Sequence, residues 1–497
     1  MAHNNYTSPS YTASYRILLD EAVTSLSQVV TAIGDTGASI KGMDVVGQEE
    51  ERIKVDITCD TSDSEHRRRI SDVLGGLTGV ELRTVADQTF LLHIDGKIQM
   101  QPKAPIRNRD DLSRVYTPGV ARVCQALYDE PRKAYGLTMK SNSVAVLTDG
   151  TAVLGMGDIG PTAALPVMEG KAVLFKQFGG VDAWPVVLDT KDTEEIIRIA
   201  KAIAPAYGGI NLEDISAPRC FEIERRLKEE LDIPVFHDDQ HGTAIVTLAA
   251  LTNALKLVGK KIEDVRIVVS GVGAAGSAII KLLQAQGARD IVGYGRAGAL
   301  NADEVTDDMN ADRRWLAENT NPRRVKGSLK EGLVDADVFI GVSQGNILQP
   351  EDLKVMAKDA IVFAMANPTP EVDPVGAAEY AAIVATGRSD FPNQINNVLA
   401  FPGLFRGIFD AKVSEITTEL LRVAAVAIAE AIPEDKLRPT YIIPGVFDKR
   451  VPRSVANAVR EAARVLPHIE TVAQESARPL DDIDEKLWPS PDEVTQH

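Results

Sequence analysis

Two acidic doublets lie shortly before a glycine-rich turn in this 497-residue chain. Glu213 and Asp214 stand in GGINLEDISAP, and Asp238 and Asp239 stand in IPVFHDDQHGTA. Hard divalent cations such as Mg²⁺ and Mn²⁺ take oxygen ligands, and carboxylates from separate segments are the usual protein contribution. Either doublet alone is more often a helix cap or an exposed turn. Because both follow apolar stretches, we expect them at the carboxyl edge of a sheet, where ligands gather in open α/β folds.

The glycine-rich turn has the spacing of a dinucleotide fingerprint, Gly-x-Gly-x-x-Gly. The motif alone is weak, since glycines also accumulate in tight turns. Here the apolar strand 266–270 precedes it and the helical pattern AAGSAIIKLLQAQGA follows it. Backbone amides at the start of such a helix suit a pyrophosphate. The residues expected at the cofactor are Gly271, Gly273, Ala274, Ala275 and Gly276.

The end of the next predicted strand, DIVGYGRAGAL, bears on the choice of cofactor. Proteins that bind NAD usually place an acidic residue there, which holds the ribose hydroxyls. In this chain Gly295 takes that position and Arg296 follows it. A guanidinium can pair with a 2′-phosphate, so the pattern slightly favours NADP, or use of both cofactors, over NAD alone. The alternative is that Arg296 points into solvent.

Composition limits the classes of partner. The formal charge of −17 argues against nucleic acid and against anionic membrane surfaces, because both attract basic patches. The three cysteines, Cys59, Cys124 and Cys220, are scattered, which favours a reducing cytoplasm over a disulfide framework. No run of about 18 apolar residues stands out, so we expect no membrane span.

The elements before residue 97 predict a small separate module, residues 12–96. Strand and helix patterns alternate in the order βαββαβ, with SYRILL as the first strand and VELRTVADQTFLL as the last. This is the ferredoxin-like order, and it resembles an ACT domain, a regulatory appendage that binds small effectors at a dimer interface. The loop DEAVTS lacks the glycine that many ACT domains carry after the first strand. A purely dimerising role therefore stays open beside effector binding.

The rest of the chain alternates short apolar runs with helices, which predicts an α/β class with doubly wound, mostly parallel sheets. We expect a substrate and metal domain over 97–245 and a Rossmann dinucleotide-binding domain, closed by two helices, over 246–470. An acidic tail, 471–497, is expected to be solvated.

Seven segments, taken in order, resemble malic enzymes of the bacterial type, and the resemblance runs through most of the chain after residue 96. The segments are VYTPGVA, TDGTAVLGMGDIGPTAALPVMEGKAVLFKQFGG, INLEDISAP, FHDDQHGTA, GVGAAG, FAMANPTPE and FPNQINNVLAFPG. The resemblance implies metal-dependent oxidative decarboxylation of L-malate to pyruvate and CO₂, with reduction of NAD or NADP.

The resemblance also implies roles for individual residues. Tyr116 would be the general acid and Lys171 the general base, with Asp238 beside the lysine. Asn367 and Asn397 would contact the substrate and the nicotinamide end of the cofactor. The implied ligands of Mg²⁺ or Mn²⁺ are Glu213, Asp214 and Asp239.

The chain departs from the animal-type pattern at the position expected to bind the substrate carboxylate. Animal-type malic enzymes carry an arginine for the substrate carboxylate where this chain has Ala152, so the group that binds this carboxylate is not identified. His237 and His241 flank the acidic pair. The resemblance implies that they are not ligands, so we expect each either to support a ligand or to be structural. For Lys171 to act as a base its pKa must fall, which burial and a nearby cation would favour.

Alternative functions also remain. A malolactic or oxaloacetate-decarboxylating relative would use the same residues, and a catalytically silent ACT-linked metabolite sensor is a further alternative. Since ACT modules usually pair, we expect at least a homodimer. Whether Tyr116 serves its own subunit or a neighbouring one is open.

Overall fold

The computed structural model of the protein describes residues 7–307 and 309–466. The chain divides into two compact units, of which the first ends at residue 100 and the second begins at residue 101. The expected acidic tail, 471–497, lies outside the described residues.

The first unit is a four-stranded antiparallel sheet with the strand order β2-β3-β1-β4. Helix α1 begins at a capping box, in which Ser25 and Gln28 satisfy each other's backbone amides. The inward side chains of β1 and β3, such as Tyr15 and Ile57, are fully buried and form the core with α1 and α2. The elements are β1 Ser8–Leu19, α1 Leu26–Gly34, β2 Ser39–Glu49, β3 Arg52–Thr61, α2 Ser64–Gly76, β4 Val80–Asp87 and α3 Gln88–His93.

The end of this unit differs from the prediction. The sequence VELRTVADQTFLL was expected to be one strand, but β4 stops at Asp87 and QTFLLH forms the helix α3. The cause is local, because the Asp87 side chain accepts hydrogen bonds from the backbone amides of Thr89 and Phe90 and so caps a helix. The prediction of a continuous strand was wrong.

The second unit contains two parallel sheets. In the first sheet the strand order is β6-β5-β7-β8, and all pairs are parallel. The short strand β7 was recognised in the sequence only as an apolar stretch. The elements of this half are α4 Arg109–Val115, α5 Val120–Asp129, α6 Ala134–Leu137, β5 Ser143–Thr148, α7 Pro161–Gly179, β6 Asp182–Val187, α8 Thr193–Ile203, β7 Gly209–Leu212, α9 Arg219–Glu230 and β8 Val235–His237.

The second sheet has the order β11-β10-β9-β12-β13-β14, parallel except for the short edge strand β11. It is a Rossmann-like arrangement, in which helices connect β9 to β10, β11 to β12 and β13 to β14. The elements are α10 Thr243–Val258, β9 Arg266–Ser270, α11 Ala274–Ala285, β10 Asp290–Gly295, β11 Gly298–Ala299, α12 Ala311–Asn319, α13 Leu329–Gly332, β12 Val338–Gly341, β13 Ile361–Ala364, α14 Pro374–Ala377, β14 Ile383–Thr386, α15 Phe401–Ala411, α16 Thr418–Glu430 and α17 Arg450–Val465.

Helix α10 belongs to a core that both sheets share. Val146 of β5, Leu248 of α10 and Ile267 of β9 are members of one cluster of buried apolar side chains. The domain boundary expected at residue 245 falls inside this helix. The helical stretch 238–258 is long and apolar enough to cross a membrane by length and composition, but 67% of its most apolar window is buried inside the protein. This stretch is therefore a helix of the protein core.

Candidate functional site

Both acidic doublets lie at the carboxyl edge of the first sheet. Glu213 and Asp214 follow directly after β7, and Asp238 and Asp239 follow β8. Since β7 and β8 are parallel neighbours, their ends meet at one place. Residues 238–242 form a single π-helical turn that leads into α10, and such turns often occur at functional sites.

Three of these carboxylates form a site suited to a cation. One ligand oxygen from each of Glu213, Asp214 and Asp239 lies within 4.8 Å of the others. Asp214 adopts a left-handed backbone with φ of 53°, and its amide donates to Asp239 Oδ2 at 2.9 Å. The buried Asp214 Oδ2 has no hydrogen-bond partner among the described residues. An oxygen left unpaired beside two further carboxylates fits a hard divalent cation.

The electrostatics of the cluster point the same way. Burial raises the pKa of Glu213 well above its ordinary value. The charge of Lys171 lowers this pKa, but the neighbouring carboxylates raise it further. Burial and the charge of Asp239 raise the pKa of Asp214 to about 7. The site therefore holds more negative charge than its single lysine offsets, which a bound cation would relieve.

Lys171 projects from α7 into this cluster. Its Nζ lies 2.6 Å from Asp238 Oδ2 and 2.9 Å from Glu213 Oε1, and 4.4 Å from the centre of the Phe401 ring. The side chain is only 11% exposed. Burial lowers the pKa of Lys171, but the carboxylates of Asp238 and Glu213 outweigh burial and raise it above its ordinary value. The expectation of a lowered pKa therefore does not hold for the protein by itself, because the carboxylates next to the lysine stabilise its charged form.

Asp238 is held on several sides. It is fully buried, and Asn397 Nδ2 donates to its Oδ2 at 3.0 Å. The hydroxyl of Thr243 in turn donates to Asn397 Oδ1 at 3.2 Å. A Cβ on Gly242 would lie 2.0 Å from Asp238 Oδ1, so only glycine leaves room for the carboxylate. The structure thus brings Asn397 to Asp238 and, through it, to Lys171.

Glu224, which the sequence analysis did not single out, contacts two residues of the π-helical turn 238–242. The buried carboxylate of Glu224, on α9, lies 2.6 Å from His241 Nε2 and accepts a hydrogen bond from Gln240 Nε2 at 3.1 Å. Lys228 Nζ lies 2.6 Å from the same carboxylate. His241 therefore pairs with Glu224 and not with the candidate metal ligands. The other histidine, His237, is fully buried beneath the site.

Tyr116 is not brought to this cluster within one chain. It stands at the carboxyl end of α4, the residue is 67% exposed, and no described residue hydrogen-bonds to its hydroxyl. None of the residues of α4 or α5 is buried. The general acid that the resemblance implies therefore lies on an exposed segment of the subunit.

The glycine fingerprint lies where β9 meets α11. Gly271 has φ of 98°, and a Cβ on it would lie 2.5 Å from Val342 O. A Cβ on Gly276 would lie 1.7 Å from Gly271 O, so both glycines are required by packing. Gly273 caps α11 without a side chain and faces open space. The first amides of α11 are therefore free for an anion, as the pyrophosphate of a dinucleotide requires.

Two arginines and no carboxylate lie at the end of β10, where the sequence predicts the ribose of the cofactor. β10 ends at Gly295, and Arg296 after it is exposed. Arg313 of α12, which sequence reasoning missed, has its Nη2 3.7 Å from the position of a Cβ on Gly295. The contact comes from a helix distant in sequence, so no local motif signals it.

Asn367 lies in the loop after β13 and is exposed. Its carbonyl oxygen is 3.4 Å from the position of a Cβ on Gly155, which belongs to the turn 153–157 that follows β5. The loop of Asn367 thus approaches the first sheet's loops from the dinucleotide-binding half.

Two protein-family models match the chain. The malic enzyme N-terminal domain matches residues 95–228, and the malic enzyme NAD binding domain matches residues 240–464. The strands and helices of the first unit, which end at His93, lie outside both matches.

Individual relatives give the same result. An NAD-dependent malic enzyme of Geobacillus stearothermophilus is 58% identical over 90% of this chain and 93% of its own length. A bifunctional malic/malolactic enzyme of Bacillus subtilis is 56% identical over 74% of this chain and 90% of its own. The crystal structure of the NAD-dependent malic enzyme of Thermotoga maritima, 49% identical, superposes with a TM-score of 0.72 over 76% of this chain and 99% of that one.

These relatives do not support the slight preference for NADP, since the one that is 58% identical is named as NAD-dependent. Over the matched residues, 95–228 and 240–464, the order of the two domains agrees with that of the family. The chain belongs to the malic enzyme family.

Proposed function

We propose that this protein oxidatively decarboxylates L-malate to pyruvate and CO₂, with reduction of NAD or NADP. The observation that carries the proposal is the contact of Lys171 with both Asp238, at 2.6 Å, and Glu213, at 2.9 Å. A buried lysine is thereby set against a carboxylate of the candidate metal site. The identity of 58% to an NAD-dependent malic enzyme supports the same reaction.

Glu213, Asp214 and Asp239 would hold Mg²⁺ or Mn²⁺. When bound, the cation would withdraw charge from the substrate oxygens and offset the carboxylates that keep Lys171 protonated. Asn211 Nδ2 donates to Glu213 Oε2 at 2.8 Å and so orients one ligand, as outer partners of metal ligands commonly do.

With the cation bound, Lys171 in its neutral form acts as the general base, and its Nζ takes the proton of the malate hydroxyl as C2 is oxidised. Asp238 holds this Nζ in place, and Asn397 holds Asp238. A bound nicotinamide would accept the hydride, with Asn367 and Asn397 near the substrate and the ring. Phe401 against the lysine side chain keeps water from one side of it.

Loss of CO₂ breaks the bond between C3 and the departing carboxylate carbon and leaves an enolate, and Tyr116 acts as the general acid that protonates C3 of this enolate. We place Tyr116 in the active site of a second copy of the chain. The segment around it, residues 106–139, contains no buried residue. It carries exposed apolar side chains that a partner surface would cover. The turn 153–157 beside the site likewise exposes Leu154 and Met156. The exposed apolar residues of the segment are Ile106, Leu112, Val115, Val123, Tyr128, Leu137 and Met139. The protein is accordingly a homodimer or a larger homo-oligomer.

Both cofactors remain candidates. NAD is supported by the relative of 58% identity, while Arg296 and Arg313 around Gly295 would tolerate a 2′-phosphate. We propose that the protein uses NAD and also accepts NADP.

The first unit is proposed to be an ACT-like module that pairs with its counterpart or binds a small effector. Its βαββαβ order and its strand order β2-β3-β1-β4 support this assignment. The edge strand β2 exposes Met43, Val45 and Val46, and an open edge favours pairing with another chain. The free thiols of Cys59, Cys124 and Cys220 suit a cytoplasmic protein, our proposed location.

The test is the initial rate of cofactor reduction with L-malate and Mn²⁺, run with NAD and NADP separately, with pyruvate quantified. Metal-dependent reduction with an equal amount of pyruvate is expected. The bifunctional Bacillus subtilis relative makes malolactic activity the second candidate. Lactate formed from malate without net cofactor reduction would replace the first proposal with the second.

A further inference from the structure

Glu371 is a buried carboxylate that the proposed reaction does not use. It stands at the end of the segment ANPTPE, it is fully buried, and no cation of the described residues pairs with it. Burial raises its pKa, and hydrogen bonds from the amides of Ser343 and Ala366 oppose this rise. An unpaired buried carboxylate is costly unless donors satisfy it, so its donors indicate what it does.

Those donors come from two different loops. Ser343, in the loop after β12, donates its amide to Glu371 Oε1 at 2.7 Å, with its hydroxyl at 3.3 Å. Ala366, in the loop after β13, donates its amide to Oε2 at 3.0 Å. A Cβ on Gly341, the last residue of β12, would lie 2.3 Å from Glu371 Cδ. The strand therefore leaves space for the carboxylate at this point.

Each loop leads to a part of the candidate site. The Ser343 hydroxyl lies 3.0 Å from the Ser270 hydroxyl, and Ser270 directly precedes the first fingerprint glycine. On the other side, Ala366 directly precedes Asn367. The two oxygens of Glu371 thus connect the dinucleotide turn with the loop of Asn367.

We infer that Glu371 is a positioning residue that sets the dinucleotide-binding turn and the Asn367 loop relative to each other. Its two oxygens act as one rigid acceptor for both loops, so neither loop can shift without breaking a hydrogen bond to a charged group, among the stronger kinds in proteins. The half of the inference that concerns turnover rests on the role proposed for Asn367, and the half that concerns dinucleotide binding does not.

The test is Glu371→Gln. Glutamine keeps the size but offers one acceptor and one NH₂ group, so one backbone amide would face a donor. We expect NADH, titrated by its fluorescence without malate, to bind about tenfold more weakly. We also expect kcat with malate and Mn²⁺ to fall at saturating cofactor, while Mn²⁺ affinity stays as in the wild type.

Asp337→Asn is the matched control. Asp337 accepts the Arg266 amide at 2.8 Å and Lys260 Nζ at 2.8 Å, but it precedes β12, at the opposite edge of the same sheet. This variant should lose thermal stability and keep its affinity for NADH. Unchanged NADH binding in Glu371→Gln, or an equal loss in Asp337→Asn, would overturn the inference.

Ser343→Ala keeps the test decisive if Glu371→Gln does not fold. It removes the hydroxyl between Glu371 and Ser270 and retains the backbone amide. NADH binding should weaken a few-fold, and wild-type binding would refute the inference. NADH titration needs no turnover. A wild type that fails to oxidise malate would therefore contradict the proposed function, while the comparison of NADH binding between wild type and variants would still test the inference.

Discussion

The base and the acid of the proposed reaction lie in opposite surroundings. Lys171 is 11% exposed and contacts two carboxylates of its own chain. Tyr116 is 67% exposed and stands between two helices that have no buried residue. One half of the catalytic pair is thus built into the core of the subunit, and the other half lies on its surface.

The difference indicates how the active site is assembled. The fold of a single chain determines the positions of the lysine and the candidate metal ligands, since the carboxylates follow adjacent strands of one sheet and Lys171 reaches them from α7. The tyrosine segment has little packing of its own to hold it, because few buried apolar contacts mean a low cost of local rearrangement. We therefore expect changes around Lys171 to alter stability and chemistry together, and changes around Tyr116 to alter chemistry with little effect on stability.

The largest effect is expected from Lys171→Ala. Loss of the general base should lower malate oxidation by about a thousandfold or more, while NADH binding stays intact. Mn²⁺ should bind at least as tightly, because a positive charge leaves the neighbourhood of its ligands. Lys176→Ala is the control on the same helix. Its ammonium pairs with Asp182 at the surface, and near-normal turnover is expected. Normal turnover in Lys171→Ala would remove the lysine from the mechanism.

Two glycines test the contrast in stability directly. Both have helical backbone angles, and a Cβ on Gly242 would meet Asp238 at 2.0 Å, while one on Gly119 would meet Ser113 O at 2.4 Å. Gly242→Ala should cost about 1–3 kcal/mol in the free energy of unfolding, as overpacking of a core does, and should lower turnover at least tenfold. Gly119→Ala should lower turnover with a much smaller loss of stability. Equal destabilisation in thermal unfolding would contradict the contrast.

Stability and Mn²⁺ affinity at the buried carboxylates should depend on pH through Asp214. Its pKa is raised to about 7, so the carboxyl contributes stability at low pH that is lost as pH rises through about 7. Protons compete with the cation over the same range, so Mn²⁺ affinity, measured by calorimetry, should weaken as pH falls below about 7. Loss of a residue that only hydrogen-bonds to a metal ligand typically weakens metal binding roughly 10- to 100-fold. Asp214→Asn should weaken Mn²⁺ binding by more than this, because Asp214 is itself a proposed ligand. An Mn²⁺ affinity independent of pH between 5 and 8 would argue against this ligand.

The smallest effect is expected at the cofactor. Arg296→Ala should weaken NADP roughly tenfold or less and leave NAD unchanged, because an exposed guanidinium contributes modestly. Arg313→Ala is the companion variant for the second arginine near Gly295. Equal losses for both cofactors in KM measurements would show that neither arginine reads the 2′-phosphate.

Local patterns predicted much of this molecule. Acidic doublets after apolar runs predicted carboxylates at a sheet edge, and the glycine spacing predicted the strand–turn–helix at Gly271. What the sequence could not reveal depends on contacts between distant segments. Glu371 reaches the amide of Ser343 across 28 positions, and the raised pKa of Lys171 comes from carboxylates 42 and 67 positions away. The helix α3 was missed because a single cap at Asp87 overrides a strand-like pattern.

In the proposed active site, Lys171 and Tyr116 come from different copies of the chain. Tyr116→Phe and Lys171→Ala, each inactive alone, would be co-expressed with two different affinity tags, and the hybrid oligomer isolated. If the tyrosine acts on the partner's lysine, one of the two sites in a hybrid dimer is intact, and about half of the wild-type turnover is expected. A hybrid as inactive as its parents would show that both residues act within one chain.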